Sequence, residues 1–507
     1  MREADLPVRP PTNANRIANP WHSRPLDVHR WSEHPEAVRL AERIWDAHFS
    51  DYRTQDRKPG PKPKASYRQQ LKVVLLDLYV AWLLDPELSI GLPMSSNGWD
   101  GNSRYNALHL TRKIVPMVER LHEVGLIDLA AGSYGGPYSL TNRNTRIRAA
   151  APLAEMFLQT RLRQSDIRQH PEQECIILKA NDAAEDGSKQ IQYEDTVDTA
   201  RMRNQLRRYN DLLFRTFIDI PTLETDYVER VSTVGAAAGQ VVRLPTSSSR
   251  VFVRRIFSRG SWEKNGRFYG GWWQQVSKDL RKQIFINDQP TAEVDFKAMH
   301  VSILSLENGV TLTADPYTLP LGLVPDTDEA LQRAIVKQLV LTAINARDRK
   351  SAFSAFRDGW PAGHFGKGMT NGELHELLNV FIETHPHLAD SLCSDQGIRL
   401  MCVDSCIAAR VINIFTNRNI PLLCVHDSFI VPYQHVGWLK QVLADLSTAL
   451  VGHPLPVVPT NSGLDEMEDW PPHVRLDHIN WRQTERCEGY LQRLAGHETW
   501  LETLSPR

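Results

Sequence analysis

Val425-His426-Asp427-Ser428-Phe429 lies between two short apolar runs, Pro421 to Cys424 before it and Phe429 to Pro432 after it. Apolar and β-branched residues pinched at His-Asp predict a tight β-hairpin whose turn carries a carboxylate. A carboxylate there is costly to dehydrate unless a cation or a base sits on it. A second acid has a similar setting: Asp295, near the end of Thr291-Ala292-Glu293-Val294-Asp295-Phe296. Beyond it Met299, Ile303 and Leu306 recur at helical spacing, so a strand ends and a helix begins there. The Asp295 carboxylate and the Phe296 carbonyl then sit at a strand-to-helix break, where oxygen ligands can face a metal. Two strand-borne aspartates that converge suit a pair of divalent ions.

The 507 residues are 41% hydrophobic and 23% charged, an ordinary globular composition with room for several domains. The formal net charge is −1, so any polyanion-binding surface must come from local segregation of charge. Six cysteines form no Cys-x-x-Cys pair, which argues against zinc and a disulfide framework and fits a reducing compartment. The apolar stretch Leu71 to Leu84 is interrupted by Lys72, Asp77 and Tyr79 and is too short to span a bilayer. No basic-then-apolar leader opens the sequence. A cytoplasmic protein without a membrane partner is expected.

Residues 1 to 30, rich in Pro, Arg and Asn, are expected to be disordered or loosely wrapped. An amphipathic helix over Pro35 to Tyr52 precedes a basic, proline-stiffened linker, Asp56 to Lys64, read as a solvated spacer with a phosphate-tracking arm as the alternative. From Tyr67 a helix presents Leu71, Val74, Leu75, Leu78 and Trp82 on one face, and a second helix covers Arg112 to Val124 and stops at Gly125. Leu126 to Leu129, a glycine-rich turn and Tyr138-Ser139-Leu140 then predict a hairpin. This order resembles a winged-helix domain with its wing at 127 to 148. The resemblance implies phosphate contacts from Arg143, Arg146 and Arg148. Pro116 departs from the pattern and requires the helix to start near Lys113. A helical domain with a surface hairpin is the plainer alternative. Residues 151 to 250 predict helices Ala151 to Gln169 and Thr196 to Phe217 around a strand at Cys175 to Leu178.

In the second half, Arg333, Lys337, Leu341 and Asn345 recur at a spacing that places them on one helix face. Two cations so aligned suit a triphosphate and its departing pyrophosphate. In order, Asp295-Phe296-Lys297-Ala298-Met299-His300, the Arg333–Lys337–Leu341 series and Val425-His426-Asp427 resemble the motifs of the DNA polymerase I (family A) superfamily, which also contains the single-subunit phage-type RNA polymerases. Gly266-Arg267-Phe268-Tyr269-Gly270 resembles the Gly-Arg-x-Tyr element that touches the template hybrid in the phage-type enzymes. The likeness covers residues 250 to 435. Asn345-Ala346 stands where the family has Tyr-Gly.

The resemblance implies an α+β polymerase right hand, with an antiparallel palm sheet and helical fingers and thumb, behind a mainly helical, winged-helix-like N-terminal domain. The expected divisions are 1–64, a linker region with one helix; 65–150, nucleic-acid-binding; 151–250, connecting or thumb-like; 251–332 and 401–470, palm; 333–400, fingers; and 471–507, a helical tail. It implies two Mg²⁺ (or Mn²⁺) ions about 4 Å apart on Asp295, Asp427 and the Phe296 carbonyl. Lys337 would act on the pyrophosphate as general acid or clamp. Arg333, His300, Leu341 and Asn345 would contact the nucleotide, and His426, Arg267, Tyr269 and Asp404 the primer or template. The plainer alternatives are Asx-capped turns for the aspartates, a solvated helix face for the cations and a helix cap for Asp404.

His300 stands where the DNA-making branch has a Glu that crowds the sugar 2′ position, and a bulky imidazole there favours dNTPs. Ser428-Phe429 and Lys337 to Thr342 instead match the RNA-making branch. The expectation is a DNA polymerase of mobile-element or phage type, with template and primer DNA and nucleoside triphosphates as partners. The alternatives are an RNA polymerase or primase of the same superfamily and a DNA-binding initiator or regulator with an inert palm. Asp85-Pro86-Glu87 ends a helix without acidic partners, so no proofreading exonuclease is expected. Gly363, Gly366, Gly368 and Gly372 predict a mobile loop, and His385-Pro386-His387 is read as structural.

Overall fold

Apolar side chains close over two separate cores, one drawn from Leu26 to Ile167 and one from Cys175 to Leu455. The computed structural model, a mixed α+β fold, describes residues 17, 22–52, 65–95, 98–136, 142–181, 189–231, 239, 241–246, 250–467 and 469–504. The basic linker 56–64 and Tyr138-Ser139-Leu140 lie outside them. Among the described residues no helix is long and apolar enough to cross a membrane.

The first core is organised by the helix Tyr67–Leu84, whose side chains are buried almost all round. Ser66 and Gln69 cap its start reciprocally, each satisfying an amide of the first turn. The helix Pro35–His48 packs on it through Leu40, Ala41, Ile44 and Trp45 and belongs to the same core, not to a separate linker region. A third helix, Ile114–Glu123, starts after Lys113, so Pro116 falls in its first turn, where a missing N–H costs no hydrogen bond. A four-stranded sheet lies beside them in the order Ser23–Pro25, Ser89–Leu92, Thr145–Ala149, Ile127–Ala130.

Residues 22 to 30 are packed into this core, contrary to the expectation of a disordered or loosely wrapped stretch there. The reason is Asp77. Its carboxylate is fully buried in the long helix and takes both terminal nitrogens of Arg24 (2.7 Å each) and Arg30 Nε (3.1 Å). A buried carboxylate needs such partners, and supplying them fastens the first strand to the helix.

The descending strand of the expected wing also differs. Arg143 is exposed, but Arg146 and Arg148 are 3% and 5% exposed. Arg148 pairs with Asp128 (2.9 Å) on the adjacent strand and with Glu87. Both residues sit inside a packed sheet, so neither offers its guanidinium to a duplex at the surface.

The helix expected over 151 to 169 stops early, at Ala151–Leu158. Beyond it the Asp166 carboxylate accepts from Arg163 N–H, a local bond that competes with helix continuation. Leu153, Phe157, Leu162 and Ile167 complete the first core, which moves the division of the chain to about residue 170. Tyr105 ties the two cores together: its hydroxyl donates to the Ile191 carbonyl (2.7 Å) and accepts from Leu178 N–H (3.2 Å).

The second core holds an antiparallel sheet in the order Leu423–Val425, Ser428–Pro432, Gln289–Phe296, Phe285–Ile286, Ile218–Asp219, with Val457–Pro459 also paired to the Gln289–Phe296 strand. The long helix Gly397–Asn417 packs against the strand Ser261–Tyr269. Their closeness depends on Gly266, at φ +84°, where an added Cβ would lie 2.8 Å from Ser405 Oγ and 2.9 Å from the Phe257 ring. Residues 329–391 form a helical group opened by Glu329–Asn345. Of the glycines expected in a mobile loop there, Gly366 and Gly368 lie in the short helix Phe365–Gly368 and Gly372 in the first turn of Asn371–Thr384. Gly366 is packed, with Trp360 Nε1 2.7 Å from where its Cβ would be. His385 and His387 bond the Pro316 carbonyl and Ser305 and fix loops. The C-terminal helix Glu488–Leu504 returns to the second core, with Arg493 on Asp219 (2.7 Å) and Trp500 against Phe214.

Candidate active site

Pairing of the strands Gln289–Phe296 and Ser428–Pro432 sets Asp295 opposite Ser428, so Asp427 is one residue from it across the sheet. Val425 pairs with Ser428, leaving His426 and Asp427 as a two-residue turn. His426 turns the chain at φ 59°. Two residues past the end of the other strand, Ala298 adopts φ 51° just before the helix Met299–Glu307. Left-handed backbone at non-glycine residues is strained, and such strain concentrates at functional sites. Both aspartates are half-buried. Burial, and then the Asp427 carboxylate beside it, push Asp295 up to about 6; Lys278 and Lys337 act in the opposite sense.

Glu293 shares the strand face of Asp295, adds to the upward push on it and is itself ion-paired. Arg281 holds both of its oxygens (3.2 Å each) and the Ser428 hydroxyl donates to it (2.7 Å). Among the described residues no group of three or more His, Cys, Asp or Glu is placed to hold a metal. Two free carboxylates and a carbonyl from Phe296, the last strand residue, fit a hard ion that keeps water and substrate oxygens as its remaining ligands, as Mg²⁺ does.

Beside the aspartates lies a buried polar cluster. Arg267 Nε reaches both oxygens of Asp404 (3.1 and 3.0 Å), and its terminal nitrogen also bonds that carboxylate. His300 Nε2 shares the same carboxylate at 2.9 Å. Asp404 is 1% exposed. The expected direct contact of Asp404 with template or primer is therefore replaced by a supporting role: it fixes Arg267 and His300. Burial opposes the Arg267 charge, but Asp404 raises its pKa above the ordinary value. Tyr269 stands edge-on to His426 with ring centres 5.4 Å apart. Burial, and then the Arg267 cation, hold His426 below the usual histidine range, and its Nδ1 is buried without a partner.

Lys337 is exposed on the helix Glu329–Asn345, on the side whose charge is felt by Asp295. Arg333, one turn earlier, is held by Asp315 through Nη2 (2.6 Å) and Nε (3.1 Å) and lies over the Tyr317 ring. Asn345 is about 12 Å further along the helix than Lys337. Its amide donates to the Leu341 carbonyl (2.7 Å), and its side chain abuts Gly397, which has no room for a Cβ. Leu341 lies one turn, and Asn345 two turns, beyond Lys337 on the same helix.

Sequence reasoning missed Asp315, Tyr317, Glu293 and Arg281. Glu293 carries a signal: it precedes Asp295 by one strand repeat, so the two must face the same side. Asp315 and Tyr317 lie in an irregular segment without periodicity, and nothing local points to them.

No protein-family model and no curated protein matches the chain.

Proposed function

We propose that this chain extends a nucleic-acid 3′ end by template-directed nucleotidyl transfer, as a DNA polymerase without proofreading, related in design to the DNA polymerase I superfamily. The observation that carries this reading is the meeting of Asp295 and Asp427 across one strand pair, with Asp295 pushed up to about 6 and Lys337 facing it. Two carboxylates that repel each other in the unliganded protein are poised to accept cationic charge. Bound Mg²⁺ would supply Lewis-acid activation of the 3′-hydroxyl and neutralise the triphosphate.

The chain's own residues supply position and charge. Asp295 and Asp427, at the ends of two paired inner strands, would hold the ions that position the reacting end. Lys337 sits where negative charge develops on the leaving pyrophosphate. Asp404 keeps Arg267 and His300 rigid, so His300 presents a fixed bulk beside the strand-to-helix break, which supports exclusion of a ribose hydroxyl and a preference for dNTPs. Ser428, the residue that matches the RNA-making branch, is buried and spends its hydroxyl on Glu293, so its identity carries little weight for sugar choice.

The test is extension of a primed DNA template with Mg²⁺ and either dNTPs or NTPs. Incorporation of dNTPs by the native chain, lost in Asp427→Ala, is expected. Exclusive use of NTPs moves the assignment to an RNA polymerase or primase; no incorporation of either moves it to a binding protein with an inert palm.

A further inference from the structure

Asp315 is the anion on which the cations of the site converge. One oxygen, Oδ1, accepts from Tyr317 N–H (3.0 Å) and closes its own turn. The other, Oδ2, takes Arg333 Nη2 (2.6 Å) and Nε (3.1 Å) from the helix Glu329–Asn345 and lies 3.4 Å from Lys297 Nζ. Lys297 is two residues beyond Asp295, and Arg333 is one helical turn before Lys337. The segment bearing Asp315 is itself anchored, because His385 bonds the Pro316 carbonyl at 3.0 Å. Burial opposes the Asp315 charge, yet its hydrogen bonds from Arg333 and Tyr317 hold its carboxyl below the usual range, so it is ionised at neutral pH.

We infer that Asp315 is a built-in competitor for the triphosphate: it occupies the Lys297–Arg333 cradle in the free protein and must release those cations when a nucleoside triphosphate binds. This rests on the function proposed above for the same site. A single carboxylate on a fixed turn neutralises only part of two cations, and both cations keep more than a third of their side-chain surface exposed. A triphosphate carries several charges and many acceptor oxygens, so it outcompetes the carboxylate, whereas inorganic phosphate and pyrophosphate compete less well. Asp315 thereby lowers affinity for every phosphate ligand and makes retention of product the more weakened.

The variants Asp315→Asn and Asp315→Ser remove the charge but keep a side-chain acceptor for Tyr317 N–H. Binding of inorganic tripolyphosphate, followed by calorimetry without metal on variants whose thermal unfolding shows them folded, is expected to tighten about five-fold, as for a partly exposed ion pair. In primer extension the KM for dNTP should fall by a similar factor and inhibition by added pyrophosphate should strengthen. Adding Arg333→Ala should abolish the gain. Tripolyphosphate binding that is equal, weaker or absent in both charge-free variants overturns the inference. A gain in tripolyphosphate binding without any nucleotide incorporation leaves the inference standing and removes the polymerase reading; incorporation without the gain does the reverse.

Discussion

Asp295 and Ser428 face each other across neighbouring antiparallel strands, and the two-residue turn at His426-Asp427 follows directly from that register. A slip of one residue would turn every side chain of either strand to the opposite face. The apolar residues Val294, Phe429 and Val431, all buried, forbid that slip. The distance between the two carboxylates is thus set by the core beneath them.

Replacing Asp427 by Asn should stabilise the fold at neutral pH. Asp295 is raised from 3.8 to about 6, so its charged form is less favoured in the folded than in the unfolded chain. The penalty is absent below about pH 4, grows as pH rises toward 6 and is complete above it. Removing the neighbouring charge should recover on the order of 1 kcal/mol at pH 7.5. Urea unfolding at pH 7.5 and pH 4 checks this: a gain at the higher pH that vanishes at the lower is expected.

Mg²⁺ should raise the thermal midpoint more at pH 7.5 than at pH 5. Ligands that bind only the folded state stabilise it by mass action, and the metal needs both carboxylates ionised. Differential scanning fluorimetry over a Mg²⁺ series gives the comparison, with Asp295→Asn as the control in which the shift is lost.

Asp404→Ala should cost about 3–5 kcal/mol of stability, because it leaves Arg267 buried without its counter-charge. Asp404→Asn, which keeps a hydrogen-bond acceptor, should cost less. Chemical denaturation of both variants tests the order.

Among the wing arginines, Arg143→Ala should reduce the slope of log affinity for duplex DNA against log salt by about one. Arg148→Ala should leave that slope unchanged and instead lower stability, since Asp128 loses its buried partner. Fluorescence anisotropy across a salt series, paired with thermal unfolding, separates the two roles.

The strand ends at Asp295 and Asp427 were legible because alternation, the apolar flanks and the motif order all reported on one local pattern. The helix from Glu329, with Lys337 on its exposed face, was legible for the same reason. Arg148 and Asp404 were not. A charged residue looks alike in sequence whether it meets solvent or a buried partner, and their partners come from distant segments: Glu87 and Asp128 for the first, Arg267 and His300 for the second. Asp77 likewise ordered an N-terminal stretch whose composition alone suggested disorder.

Tyr105 gives the molecule a further property. Its phenolic hydroxyl donates to one backbone carbonyl of the second core and accepts from one amide there, so the loop that carries Tyr105 cannot slide along that core without breaking both bonds. Loss of that one hydroxyl, as in Tyr105→Phe, would remove both anchors at once and loosen the seam between the two cores while leaving each core's own packing in place.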